Sequence, residues 1–144
     1  MRVSGILSVK GSDVATIRPD ESVEIAAEQL KVRRFGALVV TAADGTLRGI
    51  VSERDIVHAV ASEGPSVLSK PVEAIMTTDV WTCSPHDSAE DLMRTMTDHR
   101  ARHIPVVVDG ALAGLVSIGD VVKSRLTELE DQAQHLHDYI TTGR

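Results

Sequence analysis

The chain has 144 residues, 42% of them hydrophobic and 25% charged, which suits one compact domain or two half-sized units that share a core. Its formal net charge of -6 argues against a nucleic-acid partner, because such partners call for clustered Lys and Arg. One cysteine excludes an internal disulfide, and neither a membrane-length apolar run nor a signal-peptide pattern appears. We therefore expect a cytoplasmic protein with no membrane partner.

The first half of the chain predicts a β-α-β-β-α unit. A short β segment at 14–17 leads through a Pro-containing turn to a helix at 23–33, whose first N–H groups the hydroxyl of Ser22 can cap. Strands follow at 37–41 and 47–52, joined by Asp44-Gly45, a hairpin signal because both residues tolerate positive φ. A second helix begins near Glu53. The stretch 61–69, with its Gly, Pro and Ser residues, reads as a linker.

The second half repeats the same unit. Its β segment lies at 80–83, its first helix at 89–99 behind Ser88, its strands at 104–108 and 112–117, and its second helix begins near Ile118. The spacing to the first copy is 66 residues from Asp13 to Arg34, and one residue is dropped before the second hairpin signal, Asp109-Gly110. Matches in one order, with a single gap inside a turn, indicate an internal duplication.

This order predicts an α/β (α+β) fold in which two small sheets, each with helices on one face, pack face to face. Neither copy is long enough to bury much core alone, so pairing is the natural solution. We place repeat 1 at 8–62, repeat 2 at 70–126 and a C-terminal helical extension at 127–144.

The C-terminal helix has its own apolar stripe. Its members are spaced alternately by four and three residues, which is an a/d seam: Val122, Leu126, Leu129, Ala133, Leu136 and Ile140. Such a stripe needs a partner. A second subunit would make the protein a homodimer, which we favour, and the alternative is docking onto the chain's own repeats.

The motifs of both copies resemble those of the cystathionine-β-synthase (CBS) domain. The sequences GIVSERD at 49–55 and GLVSIGD at 114–120 resemble its ending, while residues 75–88 and 102–110 resemble its opening and middle. The likeness covers nearly the whole chain and has the form of a stand-alone tandem pair, a Bateman module. The resemblance implies a non-catalytic regulatory module that binds AMP, or ATP, ADP, NAD(H) or S-adenosylmethionine, between paired repeats and acts on a downstream protein whose identity the sequence does not give.

The resemblance also implies two ligand clefts, each built on a Ser-x-x-Asp ending. The Asp carboxylate would accept two hydrogen bonds from the ribose diol, while the Ser hydroxyl and the helix N-terminus suit a phosphate. Such a Ser–Asp pair at a helix start is also an ordinary cap. The residues assigned to the first cleft are Ser52, Arg54, Asp55, Thr77, Val80, Arg102, His103 and Pro105.

The second cleft lacks a matching basic pair at the start of its strand, where Gly36-Ala37 replaces Arg102-His103. Lys10, Arg33 and Arg34 are the candidates that would substitute. The residues assigned to this cleft are Lys10, Val14, Ala15, Ala37, Ser117 and Asp120. Because Arg and His can hold a phosphate, we expect the Asp55 cleft to bind more tightly.

Other chemistry has little support in the sequence. The six histidines show no metal-ligand spacing, Cys83 has no evident base beside it, and no phosphate-binding Gly-rich motif appears. We expect no enzymatic activity, no metal and no obligatory cofactor. The competing hypothesis to a nucleotide sensor is an interaction scaffold with vestigial clefts and the C-terminal helix as its working surface.

Overall fold

The computed structural model describes residues 1–143. Its elements, in chain order, are α1 (Val3–Lys10), β1 (Thr16–Ile17), α2 (Val23–Arg33), β2 (Ala37–Thr41), β3 (Leu47–Ser52), α3 (Glu53–Glu63), two 3₁₀ helices (Pro65–Ser69 and Val72–Ala74), α4 (Ala89–His99), β4 (His103–Val108), β5 (Ala111–Ser117) and α5 (Ile118–Thr142). The predicted fold class, two β-α-β-β-α repeats with a C-terminal helix, is confirmed.

The helix ends follow from local side-chain chemistry in both repeats. Ser22 accepts a hydrogen bond from the N–H of Ile25, and Ser88 accepts one from Asp91, so both predicted caps are confirmed. Arg34 and Arg100 then end the two helices in the left-handed conformation, with φ of 57° and 53°. The same backbone is therefore used at equivalent points of the two copies.

The two sheets lie against each other. In the first, β1 pairs parallel to β2 and β2 antiparallel to β3; in the second, β4 pairs antiparallel to β5. Successive side chains of a strand point to opposite faces, yet all five residues of β2 are buried. Leu38 and Val40 face the helices of their own repeat, while Ala37 lies in one cleft with His103 and Thr41 in another with Leu112, so the opposite face of β2 is turned towards repeat 2.

Each repeat is completed by the leading segment of the other half of the chain. Residues 70–76 pack on repeat 1, where the N–H of Val72 donates to the carbonyl of Glu21 (2.7 Å). The first residues of the chain pack on repeat 2 in the same way, and the N–H of Val3 donates to the carbonyl of Asp87 (2.9 Å). Val3 and Val72 are both fully buried in these exchanged positions. The two halves are thus interlocked and do not form independent units.

Several sequence-based boundaries were wrong. The β segments predicted at 14–17 and 80–83 shrink to the two residues of β1 and to a single bridge between Cys83 and Val106. The stretch 61–69 is no loose linker, because α3 continues to Glu63 and a 3₁₀ helix buries Val67 completely. The sequence also gave no sign that α1 would form, since its burial depends on repeat 2.

The last helix, α5, runs without a break for 25 residues. Its first turns are held to the body by Val121 and Ser124, which are buried, by Glu128, which pairs with the N-terminal amine, and by Arg125, which pairs with Glu90 of α4 (3.5 Å). From Leu129 to Gly143 every residue is exposed. The helix therefore leaves the body with its apolar stripe uncovered and does not dock on the chain's own repeats. Within residues 1–143, no helix is both long and apolar enough to cross a bilayer.

Candidate functional site: clefts between the repeats

The two Ser-x-x-Asp endings form identical capping boxes. The N–H of Asp55 donates to the hydroxyl of Ser52 while the Asp55 carboxylate accepts the N–H of Ser52 (2.8 Å). Ser117 and Asp120 repeat the arrangement with the same distances. The ordinary capping role of these residues is therefore present in the structure. It fixes both carboxylates at helix N-termini on the rim where the two sheets meet.

A cleft of about 240 Å³ opens beside Asp120 and Ser117. All six residues assigned to the second cleft from the sequence line it, namely Lys10, Val14, Ala15, Ala37, Ser117 and Asp120. The structure adds Asp13, Arg34, Phe35, Gly36, His103 and Leu115. Both repeats thus contribute to one concave site with an apolar side and a charged side, the composition typical of a small-molecule cleft.

Lys10 reaches into this cleft from the end of α1. Its ammonium donates to the backbone carbonyl of Leu115 (2.6 Å) and to Oδ2 of Asp120 (2.5 Å). Burial by itself would raise the pKa of Asp120, but the hydrogen bonds and charge of Lys10, together with the Ser117 N–H, lower it below the ordinary value. Asp120 is therefore an ionised, partly buried acceptor at neutral pH.

His103 stands on the wall between the two Ser-x-x-Asp endings. The sequence assigned it to the Asp55 cleft, but the structure places it on the lining of the Asp120 cleft, with Nε2 only 3.1 Å from where a Cβ on Gly36 would lie. Burial, aided by the charge of Lys10, lowers the pKa of His103. A neutral imidazole can donate one hydrogen bond and accept one, which suits a nucleobase edge or a hydroxyl.

The surroundings of Asp55 are different. Thr77 donates from its hydroxyl to Oδ1 of Asp55 (3.3 Å), and its backbone N–H donates to the carbonyl of Ile50 (2.8 Å). The structure therefore brings together Ser52, Asp55 and Thr77, as the sequence predicted. Thr77 directly follows residues 70–76, the segment that packs on repeat 1.

The remaining residues assigned to the first cleft are more dispersed. Arg54 and Arg102 are exposed, and within residues 1–143 neither forms an ion pair. Val80 is half-buried, whereas Pro105 is buried in β4 and its carbonyl accepts the N–H of Cys83 (3.0 Å). Pro105 therefore has a structural role in the second repeat.

Four residues that line the Asp120 cleft were not predicted from the sequence: Asp13, Phe35, Gly36 and Leu115. Phe35 and Gly36 adjoin Ala37, which was assigned, so proximity to the start of β2 was a usable signal. Leu115 contributes a backbone carbonyl, and no residue-type pattern reports that.

Comparisons with known proteins agree with this fold. The family model described as "CBS domain" matches residues 3–62 and 72–126. A crystal structure of a CBS-domain protein from Agrobacterium tumefaciens is 46% identical, with a TM-score of 0.85, and the match covers 87% of this chain and 99% of that one. The CBS domain pair of protein MJ0100, solved in complex with 5-methylthioadenosine and S-adenosyl-L-methionine, is 27% identical with a TM-score of 0.77 and covers 90% of this chain and 98% of that one.

Among curated proteins, the mitochondrial CBS domain-containing protein CBSX3 of Arabidopsis thaliana is 38% identical over 128 residues, which are 86% of this chain and 62% of that protein. This chain thus spans less than two thirds of that relative. The protein YhcV of Bacillus subtilis is 29% identical over 125 residues, covering 87% of this chain and 88% of the relative. Two family matches in register, on a fold shared with solved domain pairs, lead to one conclusion: this chain belongs to the CBS domain family and carries a tandem pair of CBS repeats.

Proposed function

We propose that this CBS pair is a non-catalytic regulatory module that binds adenine nucleotides, with AMP as the first candidate, in the clefts between its repeats. The observation that carries the proposal is the Asp120 cleft, where a carboxylate at a helix N-terminus and two basic side chains, Lys10 and Arg34, face one concave space. The MJ0100 pair, which binds adenosyl compounds, supports the ligand class.

Each part of a nucleotide has a matching feature in this cleft. Asp120 accepts hydroxyl hydrogens of the ribose, since within the described chain its Oδ1 accepts no other hydrogen bond. Lys10 and Arg34 offer cations for the phosphate. Val14 and Ala15 supply apolar strand surface for the adenine, whose edge is read by backbone groups.

The two clefts are not equivalent. The expected advantage of the Asp55 cleft depended on His103 and Arg102, but His103 lines the Asp120 cleft and Arg102 is exposed. Lys10 and Arg34, two of the three side chains considered as substitutes for the missing basic pair, both line the Asp120 cleft. We therefore propose the Asp120 cleft as the tighter site and the Asp55 cleft as a second, weaker one.

Ligand binding would regulate by shifting the balance between two arrangements of the repeats. A ligand moves such an equilibrium only as far as its affinities for the two arrangements differ. The exchanged segments make this coupling direct, because Lys10 belongs to α1, which packs on repeat 2 while its chain continues into repeat 1. We also propose that the module acts on a downstream protein and works in the cytoplasm.

We further propose that the module is a homodimer joined through the second half of α5. Leu129, Leu136 and Ile140 are 46%, 61% and 70% exposed, and each large aliphatic side chain gains about 1.5–3 kcal/mol on burial. A two-fold axis would let each helix cover the stripe of the other.

The experiment that tests ligand binding is a thermal-shift screen of AMP, ADP, ATP, NAD(H) and S-adenosylmethionine, followed by calorimetry. Asp120→Ala should weaken the tighter site by at least tenfold, since a hydrogen bond to a charged group contributes about 1.5–3 kcal/mol. Asp91→Ala is the matched control, because Asp91 occupies the same first-turn position of α4 but lies outside the cleft. It should cost helix stability without changing affinity.

The scaffold hypothesis predicts the opposite result. If no adenosyl ligand raises the melting temperature or releases heat in calorimetry, the clefts do not bind nucleotides. The exposed stripe of α5 would then be the functional surface, and its substitution would be the next experiment.

A further inference from the structure

The cation on Asp120 distinguishes its cleft from the one around Asp55. At the edge of the first sheet, Thr77 covers the carbonyl of Ile50 with its backbone N–H and reaches Asp55 with its hydroxyl. At the matching edge of the second sheet, the ammonium of Lys10 alone makes both kinds of contact, to a strand carbonyl at 2.6 Å and to a carboxylate at 2.5 Å. A charged side chain thus stands where the first repeat has a neutral one.

A ribose that places one hydroxyl on each carboxylate oxygen of Asp120 must compete with this cation. Oδ2 of Asp120 accepts the N–H of Ser117 (2.8 Å) and the ammonium of Lys10 (2.5 Å). A carboxylate oxygen has two lone pairs, so these two bonds saturate it. A diol that spans both oxygens therefore takes the place of Lys10 on Oδ2.

The displaced ammonium needs a new anion. The side chains of Lys10 and Asp120 are only 33% and 24% exposed, so the pair is partly withdrawn from water and its separation is costly. An uncharged nucleoside brings nothing to replace the carboxylate. A phosphate does, and the flexible four-carbon stem of lysine lets the ammonium turn from Asp120 to a phosphate in the same cleft.

We infer that Lys10 is the specificity-determining residue of the Asp120 cleft, which admits nucleosides that carry a phosphate and disfavours uncharged ones such as adenosine. The inference rests on the proposed function, since it assumes that Asp120 binds ribose. It assigns to α1, through its last residue, a direct part in ligand selection.

The test compares AMP with adenosine on the intact chain. Both are titrated into the wild type, Lys10→Met and the control Lys31→Met, which removes an equal charge from the exposed surface of α2. The backbone amide resonances of Gly119 and Asp120 identify binding at this cleft by NMR, and those of Arg54 and Asp55 report the other one. In Lys10→Met we expect affinity for AMP to fall about tenfold and affinity for adenosine to rise about tenfold, with wild-type values in Lys31→Met.

A second variant keeps the test decisive. Lys10→Arg retains the charge and should retain the preference for AMP, with circular dichroism confirming that each variant is folded. If both ligands bind and Lys10→Met leaves their affinity ratio unchanged, the role of Lys10 is overturned while the proposed function stands. If neither ligand perturbs either pair of amides in any protein, the proposed function fails and this inference fails with it.

Discussion

Gly49→Ala and Gly114→Ala place the same added methyl group at equivalent points of the two repeats, and we expect them to differ in cost. Neither glycine has a left-handed φ, so an alanine would not strain the backbone itself. A Cβ on Gly49 would lie 2.6 Å from the backbone carbonyl oxygen of Thr77, whereas a Cβ on Gly114 would lie 2.8 Å from a terminal carbon of Leu7. The first neighbour is main chain and the second is a side chain that can turn away.

The structure gives the size of the difference. Relieving the contact at Gly49 means moving the segment around Thr77, which exchanges two backbone hydrogen bonds with Ile50 at 2.8 and 3.0 Å. Overpacking costs about 1–3 kcal/mol, and two hydrogen bonds that are lengthened but not lost add about 1 kcal/mol together, so we expect Gly49→Ala to lose about 2–4 kcal/mol. Gly114→Ala requires only a rotamer change of Leu7, at about 1 kcal/mol.

Equilibrium urea unfolding measures both values, with unchanged m-values as the check that the transition is comparable. In melting temperature the losses correspond to roughly 6–12 °C and 3 °C for a chain of this size. If both variants lost the same free energy of unfolding, the explanation would be wrong. Moving residues 70–77 away from repeat 1 would then cost no more than a rotamer change of Leu7.

Three further predictions concern acid, assembly and the thiol. Burial, aided by the charge of Lys10, lowers the pKa of His103 in the folded state, so the unfolded chain binds protons more readily. The free energy of unfolding should therefore fall as the pH drops below about 6.5, and it should fall less in His103→Gln. Melting temperatures between about pH 7.5 and 5.5 measure both effects. A chain cut after Glu130 keeps the contacts of α5 with the body. Light scattering should give it a molar mass below that of the dimer, while circular dichroism still shows folded repeats. If the cut chain and the variant Leu136→Asp both keep the full dimer mass, the helix is not the main contact between subunits. Burial raises the pKa of Cys83 to about 12, so iodoacetamide should label it in urea and hardly at all in the native protein at neutral pH.

Short-range sequence patterns determined the bounds of several helices and strands in this fold. The helices at 23–33 and 89–99 and the strands at 37–41 and 47–52 were predicted with the bounds that the structure has, because serine caps, Asp-Gly turns and apolar periodicity are read over a few residues. The internal duplication led to the prediction that two similar sheets pack against each other. The family resemblance, and not these local signals, assigned Asp120 and five further residues to one cleft, and all six line it.

The tertiary structure decided what depends on contacts between distant parts of the chain. α1 forms because Val3 and Ile6 are buried in the core of repeat 2, whose other members lie far along the chain, from Cys83 onward, and no local pattern encodes that. The exchange of leading segments sets Lys10 on Asp120 and Thr77 on Asp55, so that duplicated motifs end in clefts of different charge. His103 shows the same dependence. The sequence places it at the start of β4, and the facing repeat brings Gly36 against its ring and so sets it in the lining of the Asp120 cleft.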